Sequence, residues 1–401
     1  MSRAADYTIE GFLYQFNKTL LEILKSLNDS VINVEGIVED VEVVTPDTTT
    51  MIQCKYHETC EVFTPSAIFK PLLLMASHFY RNPAASVRYV LFAHFPNETT
   101  APQKFAEKQY IQDALKSNNK ELEKLVAELS GKLDIEAFLS RFTLEFGPNF
   151  DEITAQAHAA LKGSGIPEGD IETLAYPNAI NMIAGISVKH DPSARTTTRR
   201  KFLETLKNIH KTAISRWTMA LRTRKQLLAT RRKQLKTHLD LNSRLRYFVI
   251  DTEHLEDFEE AFVLFVKDFI GKYHFKQSHI GTPLFCLGVT RDQLERIERR
   301  LFKVGLKSSN GVVGGQFEEP HFFREPLCKA SRGQIEREFH LRLLRLEDHI
   351  GLLNNRKYDD LFILGEPDFS AIKTEDVDVE HLATTSIKEV AYLVGVSNVY
   401  E

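Results

Sequence analysis

The chain has 401 residues, 43% of them hydrophobic, and a formal net charge of -4, enough length for two or three domains with cores of their own. Its longest apolar runs are short pieces such as PLLLMA and AFVLFV, so no membrane span is expected. The four cysteines are scattered and the N-terminus MSRAADYTIEGF has no apolar signal-peptide core, so a reducing, cytoplasmic setting is expected rather than a disulfide framework.

In chain order, TIEGFLYQFNKTLLEILKSLN places Phe12, Phe16, Leu20, Leu24 and Leu27 at helical spacing and ends at the polar NDS. A β-rich block follows: VINVEGIVEDVEVV, the turn TPDTTT with Pro46 and Asp47 suited to its central positions, and the strand MIQCKY. The helix PSAIFKPLLLMASHFY and the strand VRYVLFAHF complete a compact α/β unit over residues 1–100. Residues 101–246 read as a helical region, with KELEKLVAEL, IEAFLSRF and FDEITAQAHAAL broken by the loop KGSGIP. Its last part, 199–246, holds fifteen Lys and Arg against Glu204 and Asp240, a charge of +13, which leaves 36 bases and 53 acids, or -17, elsewhere.

That basic segment is expected to form one long helix or two. Ile214, Leu221, Leu228 and Leu235 recur every seven residues, while the neighbouring seam positions Arg224 and Arg231 are charged. Two uses stand open. The segment tracks an anionic partner, nucleic acid being the commonest, through Arg222, Arg224, Lys225, Arg231 and Arg232, or it pairs with acids such as those of DTEHLEDFEE. From residue 247 to 401 the pattern becomes α/β again, with RYFVID and PLFCLGV as strands and FEEAFVLFVKDFI as a helix. Thr290 and Gln293 have capping-box spacing and Gly305 is placed to end the helix they open. KYDDLFILGEPDF and GVVGGQFEEPHFFREPL read as strands and turns, and IKEVAYLVGV as a last strand. This separate C-terminal domain is the expected surface for partner docking or oligomerisation.

The first hairpin carries the chemistry. Gln53 and Lys55, two apart on a strand, share a face. With the turn centred near Asp47 and Thr48, Asp40 lies opposite Lys55 and Glu42 opposite Gln53, while Val41, Val43, Ile52 and Cys54 form the apolar face. An acid, an amide oxygen and a lysine on one patch suit metal-assisted phosphodiester hydrolysis. Asp40 would give Mg²⁺ a hard anionic oxygen, Gln53 its side-chain carbonyl and Cys54 its backbone carbonyl, with Lys55 orienting water or neutralising charge on the phosphate. The competing reading is a strand with a solvated polar face.

Other constellations are weaker. Cys54, His57 and Cys60 lack a fourth ligand for zinc. GVVGG has no following Lys-Ser/Thr, so a hairpin turn is expected there rather than a phosphate loop. His321 and His340 have no partner nucleophile in the sequence and are expected to be structural.

The order GFLYQ, VEGIVEDV, IQCKY resembles the restriction-endonuclease-like PD-(D/E)xK superfamily over roughly residues 8 to 95, and within it the branch of double-strand DNA endonuclease domains that serve as anti-phage effectors, whose second motif is often QxK. The resemblance implies an α/β restriction-endonuclease-like N-terminal core with catalytic Asp40, Gln53 and Lys55, a Mg²⁺ or Mn²⁺ cofactor, and supporting roles for Gln15 and Glu35. Glu10 would serve if the first helix lends an acid, Glu42 shares the polar face, and Glu39 should point away from it. A nuclease domain followed by a helical region and an α/β domain, with no GxxxxGK[ST] motif, looks like the Lamassu-type nuclease subunit. That likeness implies double-stranded DNA as substrate, an SMC- or ABC-like ATPase as partner, and a homo-oligomer when active. The alternative is a non-catalytic DNA- or protein-binding subunit that uses residues 199–246 to hold its partner.

Overall fold

In the computed structural model, which describes residues 3–35, 40–57, 62–98, 107–241, 244–275, 281–331 and 334–400, the first amphipathic segment forms α1 (Arg3–Lys25). Phe16, Leu20 and Leu24 are buried along its inner face, whereas Leu27 lies beyond its end and is exposed. The β-rich block then gives β1 (Val31–Val34), β2 (Val41–Val44) and β3 (Thr49–Tyr56). A 3-10 turn over Pro65–Ile68 leads into α2 (Phe69–Arg81), followed by β4 (Val87–His94). Helices α3 (Lys108–Leu115), α4 (Glu123–Leu129) and α5 (Ile135–Leu139) precede β5 (Phe142–Phe146). The sequence IEAFLSRF is therefore helical only in its first half. Phe142, Leu144 and Phe146 are buried and alternate with the half-buried Thr143 and Glu145, the period of a strand.

A capping box of Asn149 and Glu152 opens α6 (Phe150–Gly163). The chain continues through α7 (Glu168–Asp170), a π turn, α8 (Tyr176–Ser187), β6 (Thr196–Thr198) and α9 (Arg199–Lys207). These elements make one of two compact units, residues 1–210, around a six-stranded sheet of order β5-β4-β3-β2-β1-β6. Strands β1 to β3 are an antiparallel meander, β6 runs antiparallel to β1, and β4 and β5 run parallel to β3. On one face α1 covers β3 and β4, Tyr14 stacking on Tyr56 at 4.7 Å and on Phe92 at 5.6 Å. On the other, α2 packs Leu72, Met75 and Phe79 into a core with Met51, Tyr89 and Leu91.

The turn occupies Pro46 and Asp47 alone, with Thr45 N–H bonded to Thr48 C=O at 3.0 Å. Val41 therefore faces Ile52 and Glu42 faces Met51, a register two residues away from the one expected with the turn centred on Asp47 and Thr48. An even shift keeps every side chain on its face. The expected solvated face does not exist for most of β3, because Met51, Ile52, Gln53 and Cys54 are all buried between the two helical layers.

The other unit, residues 211–401, begins with α10 (Arg216–Met219) and α11 (Arg224–Leu239). The basic segment is thus three helices, α9, α10 and α11, divided between the units, and not one or two rods. Next come β7 (Arg246–Ile250), α12 (Phe258–Tyr273), β8 (Leu284–Leu287), α13 (Arg291–Lys303) and β9 (Ser308–Ser309). The expected capping box at Thr290 and Gln293 is present, and Gly305 follows α13 with φ 85°. GVVGG forms the turn of the hairpin β10 (Val312–Val313) and β11 (Gln316–Phe317). After α14 (Glu319–Phe323) and the pair β12 (Cys328–Ser331) and β13 (Gln334–Arg337) come β14 (Leu341–Arg345), α15 (Leu346–His349), β15 (Asp360–Leu364), β16 (Asp378–Leu382) and α16 (Ile387–Leu393).

The second sheet, β16-β15-β7-β8-β14-β9, is parallel throughout. Burial on both faces accounts for its continuous apolar strands, with Phe248 stacked between Phe285 at 4.7 Å and Phe362 at 4.8 Å. The tail IKEVAYLVGV is helix α16 and not a strand. Ser386 caps it by accepting the Glu389 N–H at 3.2 Å, and Ile387, Val390, Ala391 and Val394 bury at helical spacing.

One close approach fixes how α1 meets the first sheet. A Cβ on Gly147 would lie 2.3 Å from the Tyr14 hydroxyl and 2.4 Å from Phe92 Cζ. Gly147→Ala should therefore lower the unfolding free energy by about 1–3 kcal/mol, measured by urea denaturation. An unchanged midpoint would show that Tyr14 is not held at this position.

Candidate functional site

The site begins where β2 stops pairing. Val41 is the first residue of β2, and opposite the next position β3 presents the Cys54 N–H with no backbone partner from β2. The Asp40 side chain takes that place: its Oδ2 accepts from Cys54 N at 2.7 Å and from Gln53 Nε2 at 2.7 Å. A carboxylate thus continues the ladder that the main chain abandons. Gln53 is only 8% exposed, so its amide is a buried polar group satisfied by Asp40 and not a solvated one. Lys55 is half-buried on the same face of β3, and its charge favours the Asp40 anion.

Glu35 and Gln15 join the cluster. Gln15, buried on α1, donates from Nε2 to Glu35 Oε1 at 2.6 Å, and the Glu35 N–H donates to the Asp40 carbonyl at 2.9 Å. Burial pushes the Asp40 carboxyl up to about 6; the Cys54 N–H and Lys55 oppose that rise, and the negative charge of Glu35 adds to it. Two carboxylates, a lysine and a buried amide therefore meet at one end of β3.

This donor set fits a hard divalent ion. Both donors to Asp40 bond Oδ2, and among the described residues Oδ1 and Gln53 Oε1 accept no hydrogen bond. The Cys54 C=O points to the same strand edge as its N–H, since paired strand residues exchange both groups on one side. Carboxylate, amide and main-chain oxygens of this kind are Mg²⁺ ligands.

The remaining candidates lie elsewhere. Glu42 accepts from Asn33, its cross-strand partner, at 2.9 Å, and faces Met51 and not Gln53. Glu10 is half-buried on α1, five residues before Gln15 and so about 140° around the helix from it. Glu39 and Cys60 lie outside the described residues. The Cys54 thiol is buried on the opposite side of β3 from Lys55, and burial raises it well above its ordinary value, which suits a core cysteine. His340 Nδ1 accepts the Lys307 N–H at 3.1 Å and His321 Nδ1 lies 3.4 Å from Arg324 Nε, structural contacts in both cases. His238, Asp360 and Asp378 cluster closely enough for a metal, yet the Arg244 guanidinium already bridges the two carboxylates at 2.6 and 2.5 Å.

The structure assigns most of the expected DNA-binding arginines to internal partners. Arg231 is buried and paired with Glu380, and Arg224 pairs with Glu389. Arg232 donates to Asn398 at 2.8 Å and lies over the Tyr392 ring at 4.5 Å. Each acid or ring belongs to β16, α16 or the tail, segments too far along the chain for sequence spacing to suggest the pairing. Arg222 and Lys225 are exposed. Sequence reasoning also missed Arg195, whose Nη1 donates to the Glu35 carbonyl at 3.2 Å. No local pattern links residues 160 apart.

No family model matches the chain, and no curated protein does. Among solved structures, the Cap4 SAVED/CARF-domain receptor of Acinetobacter baumannii with the cyclic trinucleotide 3'3'3'-cAAA is 15% identical, covering 92% of this chain and 95% of that chain, with a TM-score of 0.31. The same receptor without that ligand is 14% identical over 94% of each chain, also at 0.31. The Moraxella osloensis receptor is 12% identical, covering 99% of this chain and 94% of that one, at 0.26. Likeness at this level bears on neither the activity nor the ligand of this chain.

Two measurements follow from the charges. Because the folded chain holds the Asp40 proton to about pH 6, above the ordinary 3.8, this group stabilises the fold most in acid and loses that contribution as pH rises through about 6. In chelator, melting temperatures of wild type and Asp40→Asn should therefore diverge in favour of the variant between about pH 4 and 7. A constant gap would refute the raised value. For the second unit, Arg231→Ala leaves Glu380 buried with only Lys211, at 2.7 Å, beside it, and should cost about 3 kcal/mol in denaturant unfolding. Retained stability with weakened DNA binding would return Arg231 to a surface role.

Proposed function

We propose that residues 1–210 are a metal-dependent endonuclease for double-stranded DNA, in a chain that serves as an anti-phage effector and is held inactive until a partner, an SMC- or ABC-like ATPase subunit, triggers it. The observation that carries the reading is the Asp40 carboxylate seated on Gln53 and on the backbone of Cys54, with Lys55 on the same face. The sequence resemblance to QxK nucleases supports it independently.

Asp40, the Gln53 carbonyl and the Cys54 carbonyl would hold Mg²⁺ or Mn²⁺, which when bound polarises a phosphate oxygen and lowers the pKa of attacking water. Lys55 contributes a fixed positive charge where negative charge accumulates on phosphorus in the transition state. Gln53 is a neutral ligand and binds Mg²⁺ more weakly than a carboxylate would, so occupancy is low until phosphate oxygens add to the site, which suits an enzyme kept off until triggered. The non-catalytic reading draws on the basic segment, and the internal pairing of Arg224, Arg231 and Arg232 weakens it.

Plasmid DNA incubated with the chain, alone and with the products of neighbouring genes, should be cut in Mg²⁺ and left intact in chelator. Asp40→Ala and Lys55→Ala should each reduce the rate by at least about 100-fold. Equal cleavage by those variants, or binding without cleavage under every condition, would overturn the assignment.

A further inference from the structure

We infer that Glu35 is the second carboxylate of the Asp40 site, supplying the negative charge that glutamine at position 53 does not, and that Arg195 is the residue that positions it. The inference rests on the nuclease reading above and names a ligand and a brace for the same site.

The backbone of Glu35 is unusual. Its φ is 54°, and among the described residues the only other non-glycine with positive φ is Asp376. An L-residue with a long side chain is strained there, although the next residue in the sequence, Gly36, would adopt such a conformation freely. Strain of this kind persists where surrounding contacts over-determine it, and it collects at functional sites.

Four contacts hold the conformation. The Glu35 N–H donates to the Asp40 carbonyl at 2.9 Å, which ties the residue to the site's first acid. Arg195 Nη1 donates to the Glu35 carbonyl at 3.2 Å, while the Arg195 carbonyl accepts the Val34 N–H at 2.9 Å, so one residue clasps both sides of the bend at the end of β1. Arg195 is itself anchored by Nε donating to the Lys189 carbonyl at 2.7 Å. Gln15, buried on α1, fixes Glu35 Oε1 at 2.6 Å.

The chemistry explains what the bend achieves. A divalent ion held by Asp40, an amide and a peptide carbonyl faces a single formal negative charge, fewer than hard-cation sites usually present. Glu35 lies close enough to Asp40 for its charge to act on that carboxyl. Two like charges held together by the fold are relieved by a cation between them. Gln15 occupies Oε1 and, among the described residues, no donor reaches Oε2. Arg195 does not touch the ion in this arrangement; it keeps the Glu35 backbone turned.

The test reads metal binding and stability separately from cleavage. Mn²⁺ is titrated into the full chain by calorimetry, without DNA, for wild type, Asp40→Asn, Glu35→Gln, Glu35→Gly and Arg195→Met. Glu35→Gln should weaken Mn²⁺ by more than about tenfold, and Arg195→Met by about tenfold, the usual cost of losing a residue that orients a ligand. Glu35→Gly relieves the backbone strain and should melt at a higher temperature than wild type while binding Mn²⁺ as poorly as Glu35→Gln. A Glu35→Gly variant that melts lower and binds Mn²⁺ normally would make Glu35 structural and overturn the inference. If Asp40→Asn still loses Mn²⁺ in that case, only the Glu35 assignment falls. If Asp40→Asn also binds normally, the nuclease reading falls with it.

Discussion

One hydrogen-bond substitution organises the first unit. Where β2 ends, the Cys54 N–H of the central strand would be left unpaired in a buried setting, and the Asp40 carboxylate accepts it at 2.7 Å. An unsatisfied buried N–H costs about 1–3 kcal/mol, so the acid is held by the sheet's own requirement for a partner. The same oxygen satisfies Gln53, and the Asp40 carbonyl accepts the Glu35 N–H. Removing Asp40 from this position would leave the strand end, the buried amide and the bend after β1 without their common partner.

The cost of this arrangement is electrostatic. Asp40 sits in a poorly solvated place beside a second carboxylate, and Lys55 offsets only part of the penalty. A carboxylate gathered with another against its own repulsion is poised to accept a cation, whereas an acid placed for stability alone would normally find a full salt bridge. Lys18, by contrast, is a buried lysine on the other face of the sheet that is fully employed, paired with Glu22 at 3.1 Å and lying 4.1 Å from the Phe92 ring centre.

Charge is used differently in the second unit. Arg244 spans Asp360 and Asp378, Arg246 reaches Asp360 and the carbonyls of residues 239 and 241, and Arg231 meets Glu380. These arginines staple α11 and the entry to β7 onto β15 and β16, the side of the parallel sheet whose strands lie farthest away in sequence. In the first unit Arg199 and Arg200 likewise clasp Asn28 and Asp29 after α1. The strongly basic stretch is therefore in large part internal cement, and its charge asymmetry along the chain disappears once the acids from other segments fold against it.

Local features were legible in the sequence because their causes are local. The amphipathic spacing of α1, the Pro46-Asp47 turn, the capping box at Thr290 and the glycine turn of β10 and β11 each depend on residues a few positions apart. The alternation of β3 was enough to put Gln53 and Lys55 on one face, and even the misplaced turn centre preserved the grouping with Asp40, since a shift of two residues leaves faces unchanged. What tertiary structure alone decided is burial and long-range pairing. It placed a second helical layer over the polar face of β3, turned IKEVAYLVGV into a helix, drew Arg231 onto Glu380, and brought Arg195 to the Glu35 backbone. None of these has a short-range signature, because desolvation and ion pairing depend on neighbours in space, and only the packed sheets determine who those neighbours are.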